Sequence, residues 1–394
     1  MQLSDRAQAI DPFYVMQVAK QAAAIERELP AGAQRMIYLC IGEPDFSAPD
    51  PVQAAANAVI AKGTTQYTEA LGLLALRQKI SAWYQQRFGV EVTPDRIVIT
   101  AGASAALQLA CLAFVNPGEE VLMPDPSYPC NRHILTASSA KAVLLPTTAE
   151  QRYQLSAQDV DQHWGERTRG VLLASPSNPT GTSIDPQEMQ RILEVVRSNG
   201  GVTLLDEIYL GLGFDAHYGQ TALAYTDEVV SINSFSKYFN MTGWRLGWLV
   251  LPARLVPQVE ALAQNLYICA STVAQHAALA CFDDDTIAEY ERRRAQFKAR
   301  RDFFIPALRE LGFGVPLMPD GAFYAWADAS PLFGRLGVSD SSAFVDTVMR
   351  RAHLVLTPSR DFSDRDTGTH VRFSTASSMA DLEEAIVRLR ELLN

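Results

Sequence analysis

Val229-Val230-Ser231-Ile232, followed by Ser234-Phe235-Ser236-Lys237, is the stretch around which this sequence is organised. The first four residues form a short β-branched run, which predicts a buried strand. Aromatic side chains surround the lysine in sequence, and an ammonium group buried among them loses hydration. Its pKa falls, and the neutral amine becomes a nucleophile. The alternative is that Lys237 is an ordinary solvated surface charge.

Arg245 lies eight residues beyond Lys237, close enough in sequence for the chain to turn back toward the same pocket. A second fixed cation there would lower the pKa of the lysine further. Its guanidinium would also offer a fork of donors to a phosphate group.

The composition is that of a globular protein with more than one core. The chain has 394 residues, of which 48% are hydrophobic, and this length favours two domains over one. The formal net charge is −10 and no long run of Lys or Arg occurs. We therefore expect neither nucleic acid nor an anionic membrane as the main partner.

The cysteines and the N-terminus predict a cytoplasmic protein. The five cysteines are scattered, without metal-ligand spacing, which is typical of buried thiols in a reducing compartment. Residues 1–12 lack the basic start and apolar stretch of a secretory signal, and no apolar run is long enough to span a membrane. The six histidines show no ligand spacing, so we expect no metal site.

Short apolar strands alternate with helical segments through the middle of the chain. Strands are predicted at residues 96–100, 120–123, 142–145, 170–174, 202–205, 229–232 and 247–250, and helices at 72–88, 103–115, 186–198 and 255–265. This alternation predicts an α/β fold whose mostly parallel sheet is covered by helices.

The pattern changes after about residue 285 and predicts a smaller α+β domain. Its elements are helices at 287–311, 341–351 and 379–393 and strands at 321–326 and 371–374. We expect a large domain over residues 46–285 and a small domain over 286–394. An N-terminal segment, residues 1–45, with a helix at 12–28 and a strand at 37–41, should join the small domain, because chain ends often lie close together.

Ligands of open parallel sheets bind beyond the carboxyl ends of the strands, so the residues that follow each strand are site candidates. Ala101-Gly102-Ala103-Ser104 opens a helix, and its N–H groups and the Ser104 hydroxyl could cradle a phosphate, although small residues at such a turn often only pack. Tyr128, between two prolines, could stack on a planar ligand or pack as a structural residue of the core.

Two further strands end in polar residues. Asn178 lies in Ser177-Asn178-Pro179-Thr180-Gly181, where rigid neighbours suit a hydrogen bond to a ligand or an ordinary turn. Asp206 ends a fully apolar strand, and such a carboxylate is unfavourable unless a cation compensates it. That cation could be a ring nitrogen or an arginine. Together, these candidates match the needs of pyridoxal phosphate: a lysine for its aldehyde, a carboxylate for its ring nitrogen, and donors for its phosphate.

The chain resembles the class I and II aminotransferases, a family of fold-type I pyridoxal-phosphate enzymes, over nearly its whole length. The motifs that carry the resemblance follow the family's order: Ile41-Gly42-Glu43-Pro44-Asp45-Phe46, Gln66-Tyr67-Thr68, Ala101-Gly102-Ala103-Ser104, Ser177-Asn178-Pro179-Thr180-Gly181, Asp206-Glu207-Ile208-Tyr209, Ser234-Phe235-Ser236-Lys237 with Arg245, and Val371-Arg372-Phe373-Ser374.

The resemblance implies a role for each candidate around the cofactor ring. Lys237 would form the Schiff base with pyridoxal 5'-phosphate and later shuttle a proton. Asp206 would pair with the pyridine nitrogen, Asn178 and Tyr209 would bond the ring hydroxyl oxygen, and Tyr128 would stack on the ring.

The resemblance also implies the phosphate and substrate contacts. The phosphate would be held by residues from three segments: Ala103, Ser104, Ser234, Ser236 and Arg245. Arg372 would clamp the substrate α-carboxylate, assisted by Gly42 and Asn178, although alone it could be a salt-bridged strand arginine. Tyr67 would reach the phosphate of a partner subunit, which implies a homodimer.

The implied activity is transfer of an amino group between an L-amino acid and a 2-oxo acid. The alternatives are a C–S lyase or another elimination on the same fold, and a non-catalytic pyridoxal-phosphate-binding regulatory module. Some family members that favour dicarboxylates have a basic residue after Gly102, where this chain has Ala103-Ser104. Phe13, Tyr14 and Tyr267 are candidates for an apolar side-chain wall, with core packing as the alternative.

Overall fold

The computed structural model describes residues 1–30, 32–365 and 368–394. The helices are α1 (Asp5–Gln8), α2 (Tyr14–Glu28), α3 (Asp50–Lys62), α4 (Leu74–Phe88), α5 (Ala103–Phe114), α6 (Pro129–Ala137), α7 (Ala157–Gln162), α8 (Pro186–Ser198), α9 (Val256–Tyr267), α10 (Thr272–Ala278), α11 (Asp284–Glu310), α12 (Phe333–Leu336), α13 (Ser341–Ala352) and α14 (Met379–Leu393). The strands are β1 (Ile37–Tyr38), β2 (Ile97–Thr100), β3 (Glu120–Asp125), β4 (Lys141–Pro146), β5 (Thr168–Ala174), β6 (Val202–Asp206), β7 (Val229–Ser234), β8 (Gly247–Val250), β9 (Tyr324–Asp328), β10 (Leu354–Val355), β11 (Thr357–Pro358) and β12 (His370–Ser374).

A seven-stranded sheet in the order β2-β8-β7-β6-β5-β3-β4 forms the centre of the molecule. Strands β7, β6, β5, β3 and β4 are parallel to one another, whereas β8 runs antiparallel to both β7 and β2. The predicted mostly parallel α/β sheet is thereby confirmed.

Helices cover both faces of this sheet, which is why its central strands are apolar at nearly every position. Successive residues of one strand enter different cores: Leu205 and Val229 pack on one side of the sheet, and Leu204 and Val230 on the other. A strand buried on both faces shows a continuous apolar run instead of an alternating pattern.

The register of the parallel strands places their carboxyl ends side by side. Ala174 at the end of β5 is opposite Asp206 at the end of β6, and Asp206 is in turn opposite Ile232 of β7. The residues that follow these three strands therefore converge on one edge of the sheet.

A second core lies around a three-stranded antiparallel sheet in the order β11-β12-β9. It contains Phe373 and Leu389 together with Val18 and Ile37 from near the N-terminus. Strand β1 also pairs in parallel with β10, with Ile37 opposite Leu354. This packing supports the predicted association of residues 1–45 with the small domain, while the boundaries of the three-part division remain predictions.

Six helices were not predicted from the sequence: α1, α3, α6, α7, α10 and α12. Helix α3 has Pro51 in its first turn and Gly63 in the left-handed conformation directly after its end, which are both helix-boundary signals. Its alanine-rich interior, however, has no strong apolar stripe. The others have four to nine residues, too few for a clear period.

Two predicted strands are shorter in the structure. The strand predicted at residues 37–41 ends at Tyr38, and the one predicted at 321–326 begins only at Tyr324. Ala322 has a positive φ of 58°, so a turn occupies the predicted start of the second strand. Among the described residues, no helix combines the length and the apolar character that crossing a bilayer requires.

Truncation of a side chain in the large core should destabilise the protein. Leu173 of β5 is fully buried, and Leu173→Ala should lower the free energy of unfolding by about 2–5 kcal/mol, because it removes apolar contact and leaves a cavity. Val387→Ala, at a 44% exposed position of α14, should change it by less than about 0.5 kcal/mol. Urea unfolding measures both, and equal effects would contradict this description of the core.

Candidate active site

The candidate catalytic amine lies at the carboxyl edge of the sheet, three residues after β7. Lys237 Nζ donates a hydrogen bond to Gly42 O and lies 5.7 Å from the ring centroid of Tyr209 and 5.8 Å from that of Phe323. Loss of hydration lowers the pKa of the amine to about 8, opposed mainly by the carboxylate of Glu43. A neutral amine is therefore accessible near physiological pH.

Asp206 is a buried carboxylate at the end of β6. Its Oδ1 accepts a hydrogen bond of 3.1 Å from the Ile208 N–H, and the side chain is 4% exposed. Burial raises the pKa of Asp206 to about 7, although the positive charge of Lys237 acts in the opposite direction. A carboxylate in this setting is suited to a cationic ring nitrogen, which would restore the charge compensation that burial removes.

Arg372 is the buried cation of the site and comes from β12 of the smaller sheet. Its guanidinium lies between the rings of Tyr324 and Phe362, 4.6 Å from each centroid. Nη1 donates to Asn178 Oδ1 at 2.9 Å, and Nη2 donates to Cys40 O.

Within the described ranges, Arg372 forms no salt bridge with a carboxylate, and its Nε has no hydrogen-bond partner. A guanidinium that is 2% exposed and bonded only to neutral acceptors is suited to an anionic ligand. The structure thus places Arg372 and Asn178 together.

A potential anion site forms where Arg245 meets the N-terminus of α5. Gly102 precedes the helix with a φ of 84°, and a Cβ added there would lie 2.6 Å from Arg245 Nη2. A Cβ on Gly247 would lie 2.8 Å from the N–H nitrogen of Ala103. The two glycines therefore allow the guanidinium and the helix N-terminus to approach the same point. Both groups favour a phosphate.

The serines predicted to hold the phosphate occupy different environments. Ser104, in the first turn of α5, is exposed, whereas Ser234 and Ser236 are buried. Ser234 Oγ accepts a hydrogen bond of 3.0 Å from the Ser236 N–H, which fixes the turn that leads to Lys237.

Tyr128 and Tyr209 are ring candidates that lie near one another. Desolvation raises the pKa of each, and their negative forms would repel each other. Phe13 contacts Tyr128 edge to face, with the centroids 6.0 Å apart, so one of the proposed wall residues lies beside the predicted stacking ring. Tyr14 contacts Asp361 through its backbone N–H, and the ring of Tyr14 lies against Arg360.

Tyr67 differs from the other candidates because its side chain is presented to solvent. The residue is 78% exposed, yet its neighbours are anchored. Thr272 Oγ1 donates to Gln66 O at 2.7 Å, and Gln275 Nε2 donates to Thr68 Oγ1 at 3.0 Å. An aromatic ring held outward on a fixed backbone is typical of a contact surface.

Several residues at the site were not identified from the sequence. Tyr324 bonds Tyr209 through the two hydroxyl groups, 2.7 Å apart, and Phe323 lies near Lys237. Glu43 was quoted only as part of a motif, yet its charge acts on Lys237. Cys40 contributes a carbonyl oxygen, which has no signature in a sequence.

The residues present satisfy the chemical demands of pyridoxal phosphate. An amine with a lowered pKa, a buried carboxylate, and an arginine beside a helix N-terminus occur together with a partly buried tyrosine ring. The neighbours of these groups in this chain do not fully compensate their charges or hydrogen bonds. The cofactor would supply the missing partners.

Comparisons with known proteins give a consistent result. A family model described as aminotransferase class I and II matches residues 34–389. The chain is 38% identical to a valine–pyruvate aminotransferase of Mycobacterium tuberculosis over 385 residues, which covers 96% of each protein. It is 29% identical to an aromatic-amino-acid aminotransferase of Thermococcus litoralis over 398 residues, covering 100% and 98%.

Solved structures resemble the whole chain as well. An aminotransferase from Mycobacterium tuberculosis has a TM-score of 0.93 at 38% identity and covers 100% of this chain and 99% of its own. The aspartate aminotransferase from Thermus thermophilus has a TM-score of 0.91 at 26% identity, with complete coverage of both chains.

The lowered pKa of Lys237 predicts a distinctive pH dependence of labelling. In cofactor-free protein, acylation of Lys237 should be half-maximal at about pH 8, whereas an unperturbed lysine reaches this point at about pH 10.4. Reactivity should rise with pH, because only the deprotonated amine reacts. Peptide mapping after brief labelling measures each lysine separately. A midpoint near pH 10 for Lys237 would contradict an amine whose pKa is lowered by loss of hydration.

Proposed function

The chain belongs to the class I and II aminotransferase family, and from that premise we propose how its residues perform the family's reaction. It is an aminotransferase, which moves an amino group between an amino acid and a 2-oxo acid. Our proposal is that pyridoxal 5'-phosphate binds covalently to Lys237 Nζ. The cofactor would supply an electron sink for the charge that develops when the substrate α-carbon loses its proton.

One observation carries this proposal: an acid and an amine at adjoining strand ends have pKa values displaced toward each other. Burial raises the pKa of Asp206 to about 7 and lowers that of Lys237 to about 8. Displaced values of this kind cluster at catalytic sites, where they match groups to proton transfer near neutral pH.

Each group around the ring would have a defined task. Asp206 would hold the ring nitrogen in its protonated form, while Asn178 and Tyr209 would bond the ring hydroxyl oxygen. Tyr128 would cover one face of the ring. The phosphate would be held at the N-terminus of α5 by the Ala103 and Ser104 N–H groups and the Ser104 hydroxyl, with Ser234, Ser236 and Arg245.

Arg372 would bind the substrate α-carboxylate. Its two Nη groups already point at neutral acceptors, Asn178 Oδ1 and Cys40 O, so the fork is fixed before any ligand arrives. The Gly42 backbone would border the same carboxylate. A side chain cannot be placed at Gly42, because its Cβ would collide with the Tyr324 hydroxyl.

Lys237 would move the proton. Once released from the cofactor, the amine has the basicity to take a proton from the substrate α-carbon and to return it to a neighbouring carbon. The rings of Tyr209 and Phe323 limit the water around Nζ, which keeps that proton on the amine between the two steps.

The site also has features of a two-subunit arrangement, and we propose a homodimer. Arg245 and Ser104 are exposed although they would hold the phosphate, and large apolar side chains are also exposed at Tyr67, Leu74 and Ile268. Gln275 links the neighbours of Tyr67 and Leu74, because it bonds both Thr68 and the Leu73 N–H. Tyr67 of one subunit would complete the phosphate site of the other.

The proposed location is the cytoplasm, with no nucleic-acid or membrane partner. All five cysteines are free thiols, and the net charge of −10 disfavours anionic polymers and anionic lipid surfaces.

Borohydride reduction tests the covalent link directly. Treatment of the purified, cofactor-loaded protein should leave a reduced adduct on the peptide that contains Lys237. Lys237→Ala should lose the adduct, and its kcat should fall by about 10²- to 10⁴-fold or more, because proton transfer loses its base. Lys141→Ala, at an exposed ion pair on β4, should retain both. An adduct on another peptide would overturn the assignment.

The same preparation separates transamination from elimination. A panel of amino donors is incubated with pyruvate or 2-oxoglutarate, and the new amino acid and ammonia are both measured. Amino transfer without ammonia is expected. Release of ammonia without amino transfer would instead identify a lyase.

Mixing two variants tests whether the site is shared between subunits. Lys237→Ala and Tyr67→Ala homodimers should each be impaired, but dissociation and random reassociation should restore about a quarter of the wild-type sites. Half of the dimers would then be mixed, with one intact site each. The mass should be twice the 43.3 kDa of the chain. A monomer, or no recovery on mixing, would contradict the arrangement.

A further inference from the structure

Tyr324 is a buried residue of the site to which no role has been assigned so far. It begins β9, is 2% exposed, and lies opposite Ser374 in the pairing of β9 with β12. Arg372 is two residues before Ser374 in the same strand. The tyrosine therefore belongs to the smaller sheet, as the carboxylate-binding arginine does.

The ring of Tyr324 supports Arg372. The guanidinium carbon lies 4.6 Å from the ring centroid, within the range of a cation–π interaction, and Phe362 offers a second ring at the same distance. Two aromatic faces thus fix the plane of the guanidinium. The orientation of that plane determines whether the guanidinium can donate two parallel hydrogen bonds to a carboxylate.

The hydroxyl of Tyr324 reaches the large domain. It is 2.7 Å from the Tyr209 hydroxyl, and it lies so close to Gly42 that no side chain would be accommodated there. Tyr209 is itself buried, so the bond between the two phenols is shielded from water. One tyrosine consequently contacts the arginine for the substrate and the tyrosine for the cofactor ring.

We propose that Tyr324 is a positioning residue that couples the two halves of the site: its ring orients Arg372, and its hydroxyl orients Tyr209. The inference rests on the proposed function of these two partners. When Tyr324 donates its hydrogen to the Tyr209 oxygen, the Tyr209 hydrogen is directed away, toward the oxygen of the cofactor ring. Consecutive hydrogen bonds in a buried site polarise one another, so the first bond strengthens the second.

Two substitutions separate the ring from the hydroxyl. Tyr324→Phe keeps the ring below Arg372 and removes only the bond to Tyr209. We expect kcat to fall about tenfold while KM for the amino acid changes by less than about twofold. Tyr324→Leu removes both contacts, and KM should rise about tenfold or more in addition, because the guanidinium loses one of its aromatic faces.

A spectroscopic titration provides a readout that does not depend on turnover. The absorbance of the cofactor bound to Lys237 changes with pH, and the midpoint reports how strongly the ring oxygen is hydrogen bonded. Weakening of the Tyr209 bond should move this midpoint upward by about half a pH unit or more in Tyr324→Phe. Tyr225→Phe, a matched hydroxyl deletion at a partly buried tyrosine outside the site, should leave the midpoint and kcat unchanged.

A double-mutant cycle completes the test. In a Tyr209→Phe background, Tyr324→Phe should have no further effect on the midpoint, because its partner is already absent. Additive effects, an unchanged midpoint in Tyr324→Phe, or equal KM values for the Phe and Leu variants would each overturn the proposal. These outcomes are distinct from failure of the proposed function, in which the wild-type protein itself would carry no reduced adduct on Lys237.

Discussion

Dehydration of one amine is the physical constraint on which the rest of this structure depends. Lys237 Nζ is buried, and loss of hydration disfavours its charged form, although a carbonyl oxygen and two aromatic rings lie beside it. Such a position exists because β7 is buried on both faces and ends at the same edge as β5 and β6. The parallel sheet is thus what places this amine where it loses its hydration.

The charged residues of the site come from two separate sheets. The large sheet carries Lys237, Asp206 and the turn before α5, whereas Arg372 comes from the smaller antiparallel sheet. Residues of the two parts are in contact at Asn178 and at the paired hydroxyls of Tyr209 and Tyr324. The placement of Arg372 relative to Lys237 and Asp206 therefore depends on a few buried polar contacts and not on either core alone.

The parts that sequence predicted well were those governed by local pattern. Apolar runs identified the central strands, and the rule that ligands bind at strand ends selected Asp206, Asn178 and Lys237 without reference to distant residues. Arg372 had no such local signal, because an arginine in an antiparallel strand is most often paired on the surface, and only the family resemblance singled it out.

Tyr324 and the Cys40 carbonyl were not identified from the sequence, because their positions depend on how the two sheets pack. The exposure of Tyr67 likewise depends on anchors at Thr272 and Gln275. The roles of these residues remain predictions.

The bond between Arg372 and the Cys40 carbonyl joins positions 332 residues apart in the chain. During synthesis, the seven-stranded sheet is complete long before β12 emerges, so a nascent chain can form the sheet edge with Lys237 and Asp206 first. Strand β1, near the N-terminus, can pair with its partner β10 only after that strand, near the C-terminus, has been synthesised. A chain stalled before its last strands would therefore hold the amine of Lys237 without the guanidinium of Arg372.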